Sequence, residues 1–328
     1  MASFHGATMK ALLLLAFGGP RSLDEVEFLM TRLFRGRTPS PEQLERVKDR
    51  YRLIGGCSPL PDITAEQAEA LAEKLKGRGH AFKSYVGMRY CHPLIEETLK
   101  QIVRDGFKEV VAVPMAPFRS RASTGAYIEE LKRAKETVGE EIRISFVEGW
   151  YRHPLFLEAV RAKIEEGLMD FLPGERERVH LIFTAHSLPK VMVVNDPYVA
   201  EIEESVRAVV DKIAPRPWHI AFQSKGAGSE EWIGPDVEAV LSGLASQNVR
   251  GVLVVPIGFV SDHIEILYDI DIAYRKKAES LGIVLRRTRS LNTSDPFIGA
   301  LAEVVEEQIA KVQKSKCKMQ NENLKIKI

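Results

Sequence analysis

The chain contains two pairs of similar apolar segments, and each pair repeats across the two halves of the sequence. Residues 10–20 read KALLLLAFGGP and residues 180–189 read HLIFTAHSLP, so each apolar run stops at a tight, proline-terminated turn. The second pair is VVAVP at residues 110–114 and VLVVP at residues 252–256. Short continuous apolar runs of this kind are typical of strands buried on both faces of a parallel sheet. Two pairs in the same order indicate two similar βα domains related by internal duplication.

Helical patterns occupy the segments between these strands. Residues 22–25 (SLDE) and 64–67 (TAEQ) each have the form of a capping box, which satisfies the first free N–H groups of a helix. Residues 198–213 and 236–244 are further helical candidates. Strands that alternate with helices predict an α/β fold with parallel sheets covered by helices on both faces, here built twice.

The length of the chain suits two domains of ordinary size, because 328 residues exceed what one small domain contains. We place an N-terminal domain at residues 9–150 and a C-terminal domain, including a terminal helix, at residues 151–312. Residues 313–328 are polar and rich in lysine, and we expect a frayed tail there.

Charge and cysteine content exclude several classes of protein. Lys plus Arg (46) nearly balance Asp plus Glu (45), so the chain lacks the positive field that nucleic acid or an anionic membrane would require. The first eight residues do not resemble a signal peptide, and the apolar run 12–17 is far too short to span a bilayer. Three scattered cysteines, Cys57, Cys91 and Cys317, form no paired framework and suggest a reducing compartment. We therefore expect a cytoplasmic protein with no nucleic-acid partner.

Two segments that lie far apart in the sequence deliver ionisable side chains where a strand should end. His186 closes the apolar run of residues 181–185, and Glu265 follows the run that ends at Pro256. Ligands of open α/β sheets bind beyond the carboxyl ends of the strands. A neutral imidazole and a carboxylate that meet there can bind a divalent transition metal or move protons. A histidine hydrogen-bonded in a core is the alternative for His186, and a solvated acidic edge is the alternative for Glu265.

The segment after residue 260 predicts an α-helix that Ser261 can cap. Its apolar face would consist of Ile264, Leu267 and Tyr268. Glu265 and Asp269 would then lie one turn apart on a shared face. Asp262 would favour the positive N-terminal end of that helix.

A third element combines Arg50 and Tyr51 with the turn GGCSPLP at residues 55–61. Successive backbone N–H groups in such a turn could hold an anion, and a helix end followed by a loop explains the spacing equally well. The sequence has neither a Walker lysine nor a G-x-G-x-x-G segment, so support for nucleotide binding is weak. Residues 88–90 and Tyr127 give still weaker signals.

Several of these segments, taken in order, resemble ferrochelatases, the enzymes that insert ferrous iron into a porphyrin. The resemblance covers roughly residues 10–312, and the segments that carry it are FTAHSLP (183–189), YRLIGGCSPL (51–60), GMRYCHP (87–93), WIGPDV (232–237) and residues 258–268. It implies two similar Rossmann-like domains of the class II chelatase type, which enclose a porphyrin cleft. This agrees with the internal repeats.

The resemblance also implies roles for individual residues. His186 and Glu265 would be the metal-site pair and the catalytic residues, with Asp269 as a further acid behind them. Residues expected along the porphyrin cleft are Phe17, Arg50, Tyr51, Ser58 and Tyr127, with Arg50 as a partner for a propionate. Leu33, Phe34 and Ile54 could complete an apolar wall beside Phe17.

Two positions depart from patterns seen in related enzymes. Family members often continue the acidic row along the Glu265 helix, but the next position here is Ala273, which puts an outer metal-delivery site in doubt. Coproporphyrin-type enzymes place a tyrosine where this chain has Phe17. We therefore favour protoporphyrin IX as substrate, with coproporphyrin III as the alternative. A cobalt chelatase and a non-catalytic tetrapyrrole carrier are less favoured.

Cofactor and partner expectations follow from the same resemblance. Fe²⁺ and a porphyrin are substrates, and no further cofactor is required. A [2Fe–2S] cluster needs four cysteine ligands and the chain has three, so we predict no cluster. An apolar cleft lip at residues 29–34 could touch a membrane transiently, and an upstream enzyme of haem synthesis could also make contact.

Overall fold

The computed structural model describes residues 9–139, 141–226 and 230–325, with side chains described as far as residue 315. It contains two parallel sheets of four strands each, with the orders β2-β1-β3-β4 and β6-β5-β7-β8. The strands are β1 (Lys10–Ala16), β2 (Phe82–Met88), β3 (Glu109–Pro114), β4 (Arg143–Phe146), β5 (His180–His186), β6 (Trp218–Gln223), β7 (Gly251–Val255) and β8 (Val284–Arg287). The repeated segments form β1 and β5, and β3 and β7, which occupy equivalent places in the two sheets. The predicted α/β fold with two similar halves is confirmed.

Helices cover both sheets. The α-helices are α1 (Val26–Leu33), α2 (Pro41–Leu53), α3 (Leu60–Gly77), α4 (Ile95–Arg104), α5 (Thr124–Val138), α6 (Pro154–Leu168), α7 (Lys190–Val193), α8 (Tyr198–Val210), α9 (Val237–Ser246), α10 (Arg275–Ser280) and α11 (Asp295–Lys325). Short 3₁₀ helices lie at Leu23–Glu25 and Arg176–Arg178, and a π-helix spans Glu265–Tyr274. In the described part of the chain, no helix is long and apolar enough to cross a membrane.

Two helices predicted from the sequence are confirmed, and both capping-box predictions are wrong. Helices α8 and α9 lie where expected, and the Asp236 side chain accepts a hydrogen bond from Ala239 N at 2.7 Å. Ser22 precedes a 3₁₀ turn and makes no capping bond within the described residues. Helix α3 begins at Leu60, one turn before Thr64, so Thr64 lies inside the helix and its hydroxyl donates to Leu60 O at 2.7 Å. The earlier start agrees with Pro61, because proline is favoured in the first helical turn.

The central strands carry the core. All residues of β1 from Ala11 to Ala16 are buried, as are those of β5 from Leu181 to Ala185. One continuous apolar core joins both halves, because Leu14 of β1, Phe183 of β5 and Phe297 of α11 belong to the same cluster of buried side chains. The two sheets are therefore held together by packing as well as by the chain.

The last helix bridges the halves. Helix α11 contacts α3, β3 and β4 of the N-terminal sheet as well as α6. The sequence analysis assigned this helix to the C-terminal domain, and the division at residue 150 stays a prediction. Helix α11 also continues to Lys325, through most of the segment that was expected to be a frayed tail, while residues 326–328 lie outside the described chain.

Candidate active site

His186 and Glu265 meet at the carboxyl edge of the second sheet. His186 is the last residue of β5, and Glu265 is the first residue of the π-helix. His186 Nδ1 lies 2.9 Å from Glu265 Oε2. Because a carboxylate only accepts hydrogen bonds, this contact places the proton on Nδ1 and leaves the lone pair on Nε2. The convergence expected from the sequence is present.

A close approach of two backbones brings these residues together. The loop after β7 passes directly over β5, where Gly258 N donates to Thr184 O at 3.0 Å. A Cβ atom at Gly258 would lie 2.7 Å from the Cα of Ala185, so any larger residue would push the loop away from the strand. Glycine at position 258 thus allows the loop that leads to Glu265 to lie beside His186.

The helix that carries Glu265 is a π-helix, which corrects the prediction of an α-helix capped by Ser261. The first helical residue is Glu265, and the Ser261 hydroxyl instead accepts a hydrogen bond from Gln67 Nε2 at 2.9 Å. The buried face also differs from the expected one: Ile266 and Ile270 are 0% exposed, whereas Ile264, Leu267 and Tyr268 are only partly buried. π-Helical segments are rare and occur frequently at functional sites.

His263 is a third member of the site, and the sequence analysis did not assign it. Its Nδ1 lies 2.9 Å from the carbonyl oxygen of Ser261, so Nδ1 donates there and Nε2 keeps the lone pair. Nε2 lies 4.0 Å from Glu265 Oε2. The available signal was a second imidazole two residues before Glu265, at the same strand end.

Asp269 lies behind Glu265, as expected for a further acid. Its Oδ2 accepts a hydrogen bond from Ser224 Oγ at 2.5 Å, and its Oδ1 lies 4.0 Å from Arg50 Nη1. Asp262, which was expected to favour a helix N-terminus, instead accepts hydrogen bonds from Ser290 Oγ at 2.7 Å and Asn292 Nδ2 at 2.9 Å. No sequence pattern indicated these polar partners.

Buried side chains donate hydrogen bonds to the backbone carbonyl oxygens of both His186 and Glu265. The Tyr198 hydroxyl donates to His186 O at 3.0 Å, and Gln223 Nε2 donates to Glu265 O at 2.8 Å. Both side chains are buried, at 7% and 1% exposure, so these bonds form away from bulk water. The pair therefore sits on a rigid support.

The two partners shift each other's pKa in opposite directions. Burial lowers the pKa of His186, but the charge and hydrogen bond of Glu265 outweigh it and raise the pKa above 6.5. Burial raises the pKa of Glu265, and the attraction and hydrogen bond of His186 outweigh it and hold the pKa below 4.5. Burial is the main cause that raises the pKa of Asp269, with Glu265 adding to it.

Within the described residues, no three His, Cys, Asp or Glu side chains converge as a closed metal cage. His186 and Glu265 offer one nitrogen and one oxygen ligand, with His263 Nε2 nearby.

The five residues expected along a porphyrin cleft differ in exposure. Phe17 is 43% exposed and its ring centroid lies 4.6 Å from that of Tyr90. Arg50 has a half-exposed side chain whose guanidinium lies 5.0 Å from the centre of the Tyr268 ring. Arg50 therefore already contacts the Glu265 helix, through Tyr268 and Asp269.

Tyr51, Ser58 and Tyr127 are buried. Burial raises the pKa of both tyrosines, which keeps their hydroxyls neutral. Ser58 lies directly beside Gly19, where a side chain would overlap its hydroxyl. Their contact with a porphyrin stays a prediction, because in this structure none of the three is exposed at a surface.

The glycine turn ends a helix and does not form an anion cradle. Gly55 N donates to Arg52 O at 3.2 Å, Gly56 N donates to Tyr51 O at 2.8 Å, and Ser58 N donates to Pro20 O at 2.8 Å. Gly55 and Gly56 have φ values of +101° and +88°, as expected where a helix ends in the left-handed region. Of the two explanations for this spacing, the helix end is the correct one.

Residues 29–34 were expected to form an apolar lip, and this segment is only partly exposed. Leu29 and Met30 are buried in a small cluster with Val26 and Tyr51. Phe28, Leu33 and Leu53 are exposed, at 37%, 38% and 61%. The helix periodicity divides the segment between a buried face and a solvent face.

Known proteins resemble this chain over nearly its whole length. A family model described as Ferrochelatase matches residues 9–309. The ferrochelatase of Geotalea uraniireducens is 41% identical over 318 residues, covering 92% of this chain and 98% of that protein. The ferrochelatase of Deinococcus radiodurans is 37% identical over 304 residues, covering 92% of this chain and 96% of that protein.

Two further matches concern substrate and fold. The coproporphyrin III ferrochelatase of Oceanobacillus iheyensis is 35% identical over 298 residues, covering 90% of this chain and 95% of that protein. The solved structure of SirB from Bacillus subtilis with Fe³⁺ covers 94% of this chain and 98% of its own, with a TM-score of 0.58 and 13% identity, which supports the fold alone. The family model and the relatives together show that this chain belongs to the ferrochelatase family.

Proposed function

We propose that this protein inserts Fe²⁺ into protoporphyrin IX and so makes haem. The observation that carries the proposal is the His186–Glu265 pair, 2.9 Å apart at the carboxyl edge of the second sheet. Family membership supports the reaction class, a metal insertion into a porphyrin. Iron and porphyrin are both substrates here.

The reaction makes three demands, and the site has groups suited to the first two. Two pyrrole protons must leave, water must be stripped from the metal ion, and the flat ring must bend. The Nε2 atoms of His186 and His263 each keep a lone pair that can accept one proton or hold the metal. Glu265 stays ionised, because His186 holds its pKa down, so it can balance the charge that moves during exchange. Fixed geometry reduces the entropic cost of bringing these groups together.

The first experiment is anaerobic insertion of Fe²⁺, with Zn²⁺ as a surrogate, into dicarboxylic and tetracarboxylic porphyrins. His186→Ala should abolish turnover while porphyrin binding and folding remain, because the imidazole acts in the transition state rather than in the core. The matched control is His92→Ala, since His92 lies on the surface with Glu97. Failure of the wild-type chain to insert either metal would refute the proposal.

The choice between two porphyrins is tested by comparing rates. Phe17 offers no oxygen to bind product iron, and this favours protoporphyrin IX. The 35% identical coproporphyrin III enzyme keeps the other substrate open. A clear rate preference for coproporphyrin III that does not change in Phe17→Ala would reverse the choice and leave the reaction intact.

Other metal and ligand classes are separated by the same assay. A cobalt chelatase would prefer Co²⁺ to Fe²⁺, and a tetrapyrrole carrier would bind the ring without metalating it.

The proposed enzyme needs no further cofactor and no [2Fe–2S] cluster. Cys57 is exposed, and burial raises the pKa of the Cys91 thiol to about 12, which opposes metal ligation by a thiolate. The side chain of Cys317 lies outside the described part of the chain. Stoichiometric acid-labile sulfide in anaerobically purified protein would contradict the proposal that the enzyme carries no cluster.

We propose a cytoplasmic location, with transient contact to a membrane or to an upstream enzyme of haem synthesis. The exposed side chains of Phe28, Leu33 and Leu53 supply the apolar lip for such contact. Cosedimentation with vesicles of neutral lipid should weaken in Leu33→Ser and stay unchanged in Met169→Ser, an equally apolar exposed site that lies on α6's end rather than on this lip.

A further inference from the structure

One buried side chain of the N-terminal half reaches the loop that carries His263. Gln67 lies on α3 and is 0% exposed. Its Nε2 donates to Ser261 Oγ at 2.9 Å and to Asn292 O at 2.8 Å. Both acceptors belong to the C-terminal half. Ser261 lies 194 residues after Gln67 in the sequence, and Asn292 lies 225 residues after it.

The orientation of the Gln67 amide is fixed by its partners. The Asn292 carbonyl oxygen can only accept a hydrogen bond, so the amide nitrogen must face it. The Oε1 atom on the opposite side is buried and has no partner among the described residues.

One of the two acceptors, Asn292, makes two hydrogen bonds to Asp262. Asp262 N donates to Asn292 Oδ1 at 3.0 Å, and Asn292 Nδ2 donates to Asp262 Oδ2 at 2.9 Å. Arg287 adds an ion pair with Asp262 Oδ1 at 3.2 Å and two hydrogen bonds to Asp271 of the π-helix, at 2.8 and 2.9 Å. The loop before Glu265 is therefore fixed on several sides, and Gln67 joins it to the N-terminal half by hydrogen bonds, in addition to the packing of Ile264 against Val26, Leu29 and Tyr51.

The contact extends to the imidazole of the site. Ser261, whose hydroxyl Gln67 binds, offers its carbonyl oxygen to His263 Nδ1 at 2.9 Å. That bond determines which ring nitrogen carries the proton, and it leaves Nε2 free 4.0 Å from Glu265 Oε2. Helix α3 begins at Leu60, two residues after Ser58, which was expected to line the porphyrin cleft.

We infer that Gln67 is a positioning residue that fixes the tautomer and location of His263 relative to the N-terminal half of the cleft. The contacts of Gln67 keep the two halves at a constant separation. The N-terminal half would grip the porphyrin, and the C-terminal half carries the proposed metal-site side chains. This inference rests on the proposed function for its effect on turnover, while the effect on the His263 tautomer can be measured without any reaction.

The test replaces Gln67 by methionine, which keeps length and volume and removes both donors. The matched control is Thr64→Val on the same buried face of α3, because Thr64 donates only to Leu60 O within its own helix. Wild type and both variants are compared in metal-insertion kinetics, thermal unfolding and porphyrin fluorescence quenching. ¹⁵N NMR of labelled histidines then reports the tautomer of His263.

Gln67→Met should lower kcat by about 10- to 100-fold, the usual effect of losing an outer partner of a site residue, with porphyrin affinity within about twofold of wild type. The His263 signals should change from a single Nδ1-protonated form to a mixture of tautomers, and Thr64→Val should leave both measurements unchanged. Normal kcat in Gln67→Met, or an unaltered Nδ1-protonated His263, would overturn the inference. If the wild-type chain inserts no metal, the proposed function fails, and the tautomer measurement still decides the role of Gln67.

Discussion

At the scale of single residues, the site depends on which atoms are left free. His186 and His263 each use Nδ1 in a hydrogen bond, to Glu265 and to the Ser261 carbonyl. In its neutral form each ring therefore leaves Nε2 free for the proposed chemistry. Glu265 accepts the hydrogen bond of His186 and also contributes a negative charge to the site. Residue types could be read from the sequence, but the tautomers depend on neighbours that only folding supplies.

Replacing Glu265 tests its charge. Glu265→Gln keeps the shape and removes the negative charge, so metal insertion should fall by about 100- to 10,000-fold, the range of a lost proton-transfer or charge-balancing group. Initial rates with Zn²⁺ and a dicarboxylic porphyrin measure this.

The control for that experiment is Asp269→Asn. The carboxylate that accepts the hydrogen bond of His186 is Glu265, the pKa of Asp269 is raised by burial, and Ala273 ends the acidic row beyond it. Replacement of Asp269 should reduce the rate less than Glu265→Gln does. Equal losses in the two variants would contradict the assigned difference in roles.

The pH dependence of stability follows from the same pair. The pKa of His186 is raised above 6.5, so its contribution is complete below pH 6.5 and is lost as pH rises through the raised pKa. The pKa of Glu265 is lowered below 4.5, so its contribution is present above pH 4.5 and is lost as pH falls through the lowered pKa. Wild type should exceed Glu265→Gln in unfolding free energy most clearly between pH 4.5 and 6.5.

Denaturant unfolding from acidic to alkaline pH, through both of these windows, provides the measurement. NMR titration of His186 should show a lower pKa in Glu265→Gln than in wild type. A difference in stability that is constant with pH would show that the pair is not an ion pair in solution.

At the scale of elements, the π-helix determines the face that Glu265 presents. Its buried residues, Ile266 and Ile270, lie four positions apart, and Glu265 and Asp269 precede each of them by one. An α-helical reading of the sequence selected Ile264, Leu267 and Tyr268 as the apolar face. Apolar residues occur at so many positions here that periodicity could not separate the two registers.

Alanine substitutions test which face of this helix is buried. Ile270→Ala removes a fully buried side chain and should lower the free energy of unfolding by about 2–5 kcal/mol. Leu267→Ala, at a partly exposed position, should cost clearly less. Chemical denaturation of both variants is the measurement, and a greater loss for Leu267→Ala would restore the α-helical register.

At the scale of the whole molecule, the two halves are joined by a shared core and by polar contacts across the junction. The loop after β3 is held by α8, where Arg119 N donates to Glu201 Oε2 at 2.7 Å and Arg119 Nε donates to Oε1 at 2.5 Å. Glu201 is 2% exposed. Nearby, Arg121 N donates to Asp196 at 2.8 Å. Together with Gln67, these contacts fix the relative placement of the two sheets.

Glu201→Gln tests this junction. The change replaces a charged acceptor of two hydrogen bonds by a neutral group, so the free energy of unfolding should fall by about 1.5–3 kcal/mol. Glu73→Gln, in the exposed ion pair with Lys76, should change it by no more than about 1 kcal/mol. Similar effects of both substitutions would show that the junction is no stronger than a surface contact.

The sequence by itself determined the four central strands, β1, β3, β5 and β7, their duplication, and the convergence of His186 and Glu265 at one sheet edge. Each of these leaves a local signal, either a continuous apolar run or an ionisable residue at the point where the run stops. Tertiary structure alone decided the π-helical register, the inclusion of His263, the burial of Tyr51, Ser58 and Tyr127, and the role of Gln67. These depend on contacts between residues up to 225 positions apart, as the bond from Gln67 to Asn292 illustrates. A capping pattern at residues 64–67 predicted a helix start, whereas the same glutamine serves the other half of the molecule, because a side chain's partners are set by packing in three dimensions.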